Sequence, residues 1–480
     1  MKNEIGITAK KDKDFQEWYI QTVLKCDLAD YSSAKGFMIL RPYGFSIWEK
    51  IKEKVDSEIK KTGHKNAYFP SLIPESLLGK EETHFTGFTP EVFWVTKTGE
   101  ENLSENLAIR PTSETIMYEA YSRWIRSWRD LPLLLNCWNS VLRAEIKSTK
   151  PFLRTSEFLW QEGHTVHATK EEAEKEVLDI LEIYRMLIEE ELAIPVLTGM
   201  KSDKEKFVGA DFTTTLEAMM PDGKALQMGT SHHLGQNFSK VFEIRYLGKD
   251  KEMHFAWQTS WGVSWRLIGA LIMAHGDDKG LILPPKIAPV QIIIIPIFYG
   301  DKSKEEILNK VKTTAKELNE EGLRTEYDLR EGYTPGWKFN EWEMKGVPIR
   351  IEIGPKDLEK KQVTIVRRDN KEKNQVEEQK VPKNVMKTLN EIQESLYKSA
   401  QKNLENKIVT ITKYDEFKAA VKKGGFIKTY WCSRNECEDI IKEETGADIR
   451  LIPFDEEKIS AKCIKCNKKA IKISYFSRAY

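Results

Sequence analysis

The chain has 480 residues, enough at ~100–200 residues per domain for two to four domains with ample core. Hydrophobic residues make up 40% and charged residues 31%, the balance of a soluble globular protein and not of a disordered one. The formal net charge is +1, so any nucleic-acid surface must be local, and the longest apolar stretches, such as Ile292 to Phe298, are too short to span a bilayer.

Residues Met1 to Lys13 are polar and charged and lack the apolar segment of a secretory signal. With only six cysteines this points to a reducing, cytoplasmic setting. Ser46 with Glu49 reads as a capping box that opens a helix with Ile47, Ile51, Val55 and Ile59 on one stripe. Tyr68 to Pro74 reads as a short strand. Leu133 to Glu145 and Thr155 to Thr165 read as two strands around the basic turn Lys147 to Lys150. Thr169 with Glu172 caps a further helix carrying Ala173, Val177, Leu181, Tyr184 and Ile188. Arg266 heads an apolar run, Leu267 to Ala274, expected to form a buried helix.

Leu283-Pro284-Pro285 breaks the chain, because consecutive prolines disfavour any regular element. Beyond it the pattern becomes α/β. Gln291 to Ile297 is a buried strand, and Ser303 with Glu306 caps a helix through Ile307, Val311, Ala315 and Leu318. Strand Arg324 to Asp328, a helix near Trp337 to Lys345, and strands Ile349 to Ile353 and Val363 to Arg367 follow. A helical connector spans Asn384 to Asn406. The expected division is 1–283, 284–400 and 401–480.

Cys432-x4-Cys437, then 25 residues, then Cys463-x2-Cys466 is a zinc spacing, and no histidine lies after His275, so the ligand set would be four thiolates. Two disulfides are the competing reading. The segment Ser460 to Tyr480 has five lysines, one arginine and no acid, which offsets the formal charge of a four-thiolate zinc site.

Three arginines stand out. Arg143 and Glu145 lie two apart and should share one face of a strand. Arg154 follows the basic turn, and Arg266 sits at a helix start. Guanidinium forks suit a triphosphate, and a helix N-terminus adds its own attraction for anions, whereas singly each arginine would read as a surface ion pair.

Together these residues resemble something specific. Arg143-x-Glu145, a loop and Arg154-x-x-x-Phe158 resemble motif 2 of class II aminoacyl-tRNA synthetases. Trp261-Gly-Val-Ser-Trp-Arg266-Leu-Ile-Gly269 resembles motif 3, and the helix after Ser46 with the strand ending near Pro70 resembles motif 1. Thr112-Ser113-Glu114, Trp160 to His164 and Gln227 to Lys240 are similar to segments of the prolyl-tRNA synthetase family. Lys345 to Leu358 resembles that family's anticodon-binding unit, and the cysteine spacing with a final Tyr480 resembles the archaeal/eukaryotic type. Only about 90 residues separate His164 from Trp257, too few for the editing insertion of bacterial-type relatives.

The resemblance implies an α/β (α+β) chain: an antiparallel-sheet catalytic domain, an α/β anticodon-binding domain and a small zinc-binding domain. It implies formation of prolyl-adenylate from L-proline and ATP, transfer to proline tRNA, and a homodimer. It places ATP on Arg143, Glu145, Arg154, Thr155, Phe158, Gln227, Thr230, Ser264 and Arg266, with Gln227 on Mg2+ and Arg143, Arg154 and Arg266 carrying the chemistry. Proline falls to Thr112, Glu114, Arg143, Trp160, Glu162, His164 and His232. A secondary ammonium with an apolar ring needs acceptors and an aromatic wall, which these supply. The anticodon falls to Glu343, Arg350 and Lys356, since unstacked bases are read on their edges. The rival readings are a non-catalytic paralogue that binds tRNA or a protein, and a sister synthetase for threonine, serine or glycine. The three arginines and Glu114 argue against the first, and the Thr112–Glu114 and Trp160–His164 segments against the second.

Overall fold

The computed structural model describes residues 6–82, 91–146, 148–298, 303–454 and 460–480. Its largest sheet has seven strands, in the order Lys65–Asn66, Leu133–Leu142, Glu157–His167, Trp257–Ser264, Ala225–Gly235, Phe212–Met219 and Leu197–Met200. All neighbours are antiparallel except the short edge strand Lys65–Asn66.

Alternation along Glu157–His167 explains how this sheet is used. Gln161 turns to one face, where its side chain accepts from Tyr184 of the helix Lys170–Met186 at 2.5 Å. Trp160, Glu162 and His164 turn to the other face and line a cleft. The closed face is packed by Ile180, Leu181 and Tyr184, by Ile268 and Leu271 of the helix Arg266–His275, and by Ile47, Ile51 and Val55 of the helix Pro42–Lys61. Gly163 is required there, because a Cβ would collide with the Trp261 ring on the next strand. Truncating one such core side chain, Ile51 for instance, costs about 2–5 kcal/mol.

The helix Lys170–Met186 has the expected capping box, with Thr169 accepting from Glu172 N and Glu172 accepting from Thr169 N. The motif-1 helix differs from expectation. It begins at Pro42, whose fixed φ and missing N–H suit the first helical position, so Ser46 lies one turn inside and donates to Pro42 O at 2.9 Å. Ser303 stands at the expected N-cap of the helix Lys304–Glu320 but makes no side-chain capping hydrogen bond. Within Tyr68–Pro74 only Leu72–Pro74 is a strand, joining Trp94–Thr98 and Glu101–Ile109 in a separate three-stranded sheet.

A five-stranded sheet follows, in the order Thr325–Tyr327, Ile292–Pro296, Ile349–Ile353, Gln362–Arg367 and Lys373–Glu377. Its first three strands are parallel and its last two antiparallel. Helices Lys304–Glu320 and Val381–Asn406 pack on its apolar face through Val311, Leu318, Val385 and Leu389. A four-stranded sheet, Ile408–Thr410, Phe426–Trp431, Lys472–Ser477 and Asp448–Leu451, completes the chain. Among the described residues no helix is long and apolar enough to cross a membrane.

Candidate active site

The open face of the seven-stranded sheet holds a cleft of about 290 Å³. Strand register builds its floor: His164, Ser260, His232 and Thr213 form one row across four strands, and Glu162, Gly262, Thr230 and Thr215 form the next. Twelve of the expected residues line the cleft: Thr112, Glu114, Arg143, Phe158, Trp160, Glu162, His164, Gln227, Thr230, His232, Ser264 and Arg266. Three do not. Glu145 is exposed in the turn after the strand Leu133–Leu142, Arg154 is exposed in the loop, and Thr155 is buried beside it.

Arg143 and Glu145 therefore do not share a strand face. The strand ends at Leu142, and Arg143 is held instead by its N–H donating to Ser156 O at 2.7 Å and its Nε donating to Pro111 O at 3.3 Å. Its guanidinium lies 5.1 Å from the Phe158 ring centroid and 5.9 Å from that of Trp160. Burial lowers its pKa, against the pull of Glu145, Glu114 and Glu162, yet an arginine stays protonated at any working pH. Arg266 is lowered to about 10, first by burial and then by Arg143. Two half-buried cations lining one cleft and acting on each other electrostatically are suited to an anion carrying several charges.

The two carboxylates have different surroundings. Glu162 accepts from Ser113 N at 3.1 Å, Asn139 Nδ2 at 2.8 Å, His164 Nε2 at 3.0 Å and the Ser113 hydroxyl. Burial opposes its charge, but these donors prevail and its pKa is lowered. A carboxylate has about four lone-pair sites, so Glu162 is filled. Glu114 opens the helix Glu114–Trp124 and accepts from the Thr112 hydroxyl. One atom each of Glu114, Glu162 and His164 lie within 4.8 Å of one another, and because Glu162 is filled and His164 donates to it, Glu114 is the member with acceptor capacity left for a compact cation. Trp160 donates from Nε1 to Asn139 Oδ1 at 2.6 Å, which fixes the indole as a wall.

His232 sits between Thr213 Oγ1 at 2.9 Å and Thr230 Oγ1 at 3.1 Å, with Phe207 at 4.8 Å between ring centroids. Burial, then His164 and Lys201, push its pKa down to about 3, so its ring is a neutral wall. Sequence reasoning did not find Ser113, Asn139, Phe207, Thr213 or Lys201. Asn139 was within reach, because pairing the two motif-2 strands sets it directly opposite Trp160.

The four clustered cysteines come together, with Cys432 and Cys437 sulfurs 3.5 Å apart and Cys466 and Cys432 sulfurs 3.7 Å apart. None is in a disulfide. A tetrahedron of thiolates at ~2.3 Å from zinc has edges of ~3.8 Å, so the donor set fits that ion, and a disulfide at ~2.05 Å does not describe it. On the five-stranded sheet, Glu343 and Arg350 line a second groove with Arg368 and Lys373, while Lys356 is exposed outside it. Arg350 stacks 4.2 Å from the Phe339 centroid and donates to Glu352 at 2.9 Å.

Comparison with known proteins gives three family matches. A tRNA synthetase class II core domain (G, H, P, S and T) covers residues 93–275. An anticodon binding domain covers 291–388, and a prolyl-tRNA synthetase C-terminal family covers 414–480. The chain is 55% identical over 477 residues to a proline–tRNA ligase of Cenarchaeum symbiosum, covering 99% of this chain and all of that protein. It is 53% identical over 473 residues to a proline–tRNA ligase of Natranaerobius thermophilus, covering 98% and 97%. It is 49% identical to proline–tRNA ligase 2 of Bacillus cereus over the full length of both.

Proposed function

The chain belongs to the prolyl-tRNA synthetase family, and we propose that its cleft forms prolyl-adenylate from L-proline and ATP and passes the proline to the 3′ end of proline tRNA. The observation that carries this is the pairing, in one cleft, of an acceptor for a cation at Glu114, backed by the negative charge of Glu162, with the half-buried arginines Arg143 and Arg266. A ligand with a compact cation at one end and a carboxylate to be joined to a polyphosphate at the other matches both halves.

Glu114 takes the proline ammonium, helped by Thr112, while Glu162, already filled by Ser113, Asn139 and His164, orients His164 and supplies charge. The pyrrolidine ring lies against Trp160 and His232. Arg143 holds the proline carboxylate beside the α-phosphate, so the nucleophile is aligned for in-line attack and pyrophosphate departs on the opposite side. Arg143 and Arg266 face the oxygens on which charge develops, with Arg154 and Thr155 brought in by the loop when ATP binds. Phe158 stacks on the adenine, Glu145 accepts from its amine, and Thr230 and Ser264 line the ribose and phosphate path. Gln227 would hold Mg2+, which supplies additional positive charge to the phosphates.

Residues 1–283 form the catalytic domain, 284–400 the anticodon-binding domain, with Glu343, Arg350 and Lys356 toward the anticodon, and 401–480 the zinc domain held by Cys432, Cys437, Cys463 and Cys466. All four zinc positions are protein ligands, which leaves none for water and makes the ion structural. A cytoplasmic homodimer across motif 1 fits the exposed Tyr68 and Leu72. Light scattering at micromolar concentration then gives about twice the 55.7 kDa chain mass. The direct test of function is charging of a proline tRNA transcript with labelled proline and ATP. A protein that binds this tRNA without charging it is the non-catalytic paralogue.

A further inference from the structure

The outer edge of the cleft floor is completed from the far end of the chain. Met200, on the last strand of the seven-stranded sheet, exchanges backbone hydrogen bonds with Ile452, both at 2.8 Å. Gly199 permits this approach, since a Cβ there would meet Ile452 O. Beside this seam is a buried charged cluster. Lys201 Nζ donates to Glu217 Oε1 at 2.7 Å and to the Arg450 carbonyl at 3.0 Å. Arg450 donates from Nε to Glu217 Oε2 at 3.1 Å and from Nη2 to Oε1 at 3.0 Å. Thr215 donates to the same carboxylate at 3.1 Å.

Two cations thus share one carboxylate, and the cluster carries one positive charge more than it balances. Glu205 on the cleft lining also attracts Lys201, but it is partly solvent-exposed and shares Lys442 at 3.4 Å with Asp448 at 2.8 Å, so the excess is that of the buried trio Lys201, Glu217 and Arg450. A buried unbalanced cation is costly unless an anion arrives to meet it. The cluster lies where one would: Glu217 pairs in register with Gln227, and Lys201 lines the cleft with Gln227 and Arg266. Arg266 also feels Glu217 and Arg450 electrostatically.

We infer that Arg450, from the C-terminal segment, is a positioning residue for ATP, holding Glu217 so that Lys201, at its side of the cleft floor, keeps positive charge for the triphosphate. The inference rests on the synthetase reading above. It distinguishes the two substrates, because proline enters as a zwitterion of zero net charge and ATP as a polyanion. A unit charge at roughly 10 Å, in a medium of effective dielectric ~20, changes an equilibrium constant about tenfold.

The test is ATP–pyrophosphate exchange by the full chain with Arg450→Met and Arg450→Lys. Arg450→Met raises KM for ATP about 5- to 30-fold, with KM for proline within about twofold, and the difference narrows as ionic strength rises. Arg450→Lys, which keeps the charge, recovers most of the ATP affinity. A merely structural Arg450 would lower melting temperature or active fraction and leave both KM values in place. That result, an equal rise in both, or no difference between the Met and Lys variants overturns the inference. If Arg450→Met does not fold, Arg450→Gln is judged by the same comparison. An inactive parent enzyme would instead refute the synthetase reading.

Discussion

Replacing Glu114 by Gln tests how the cleft recognises the amino-acid end of its substrate. Glu114 is 4% exposed, and among the described residues its one hydrogen-bond donor is the Thr112 hydroxyl. Its carboxylate therefore has acceptor capacity for the proline ammonium, which the filled Glu162 lacks. A hydrogen bond to a charged partner contributes about 1.5–3 kcal/mol, or ~10- to 150-fold in kcat/KM for proline at about 1.4 kcal/mol per tenfold. Exchange kinetics should show that loss in the proline term, with KM for ATP nearly unchanged, because Glu114 touches no phosphate in this arrangement. Glu162→Gln behaves differently. Its amide presents donors to Ser113, Asn139 or His164, so melting temperature falls along with activity. A Glu114→Gln enzyme whose KM for proline stays within about twofold of the parent refutes the assignment of the ammonium to Glu114.

Arg143→Ala should lower the exchange rate roughly 10²-fold or more, the usual cost of deleting one preorganised charge donor, and near-normal exchange would sink the catalytic assignment. Elemental analysis of freshly purified protein should find about one zinc per chain, and metal-free protein with an intact four-stranded sheet would contradict the cysteine site. Acid should destabilise the fold through its buried histidines. Burial lowers His167 and His275 to about 4 and His232 to about 3, while unfolded histidines titrate near ~6.5. As pH falls the unfolded chain takes up these protons first. The stability is therefore complete above ~6.5 and is lost toward pH 4 and 3, by up to about 1.4 kcal/mol per pH unit for each histidine. A melting temperature flat between pH 6.5 and 4 would show that these rings are not held neutral.

Residues whose partners lie nearby in sequence were legible before the structure. The capping box at Thr169, the apolar strand before Pro296 and the helix headed by Arg266 depend on local periodicity and short-range hydrogen bonds. The convergence of the four cysteines was legible because their spacing is that of a four-thiolate site. The helix start at Pro42 was missed because Ser46 and Glu49 imitate a cap, and only the backbone shows Ser46 donating backward to Pro42. The exposed edge strand Lys373–Glu377 was missed because one buried valine gives no alternation to read. Glu145 and Arg154 were assigned to the cleft by motif, whereas the strand ends at Leu142 and leaves both on a loop. Long-range partners were the least legible. Arg450 and Glu217 lie 233 residues apart, and nothing local to either announces that they meet.

The central claim is that this one cleft joins proline to the adenylyl group of ATP, and amino-acid-dependent ATP–pyrophosphate exchange measures that step without tRNA. With the twenty amino acids supplied singly, proline should give the highest kcat/KM. Alanine and cysteine should follow at a level lower by at least the ~10–200-fold that lost apolar contact allows. Exchange stimulated by threonine, serine or glycine above proline, or by none of the twenty, would contradict the account.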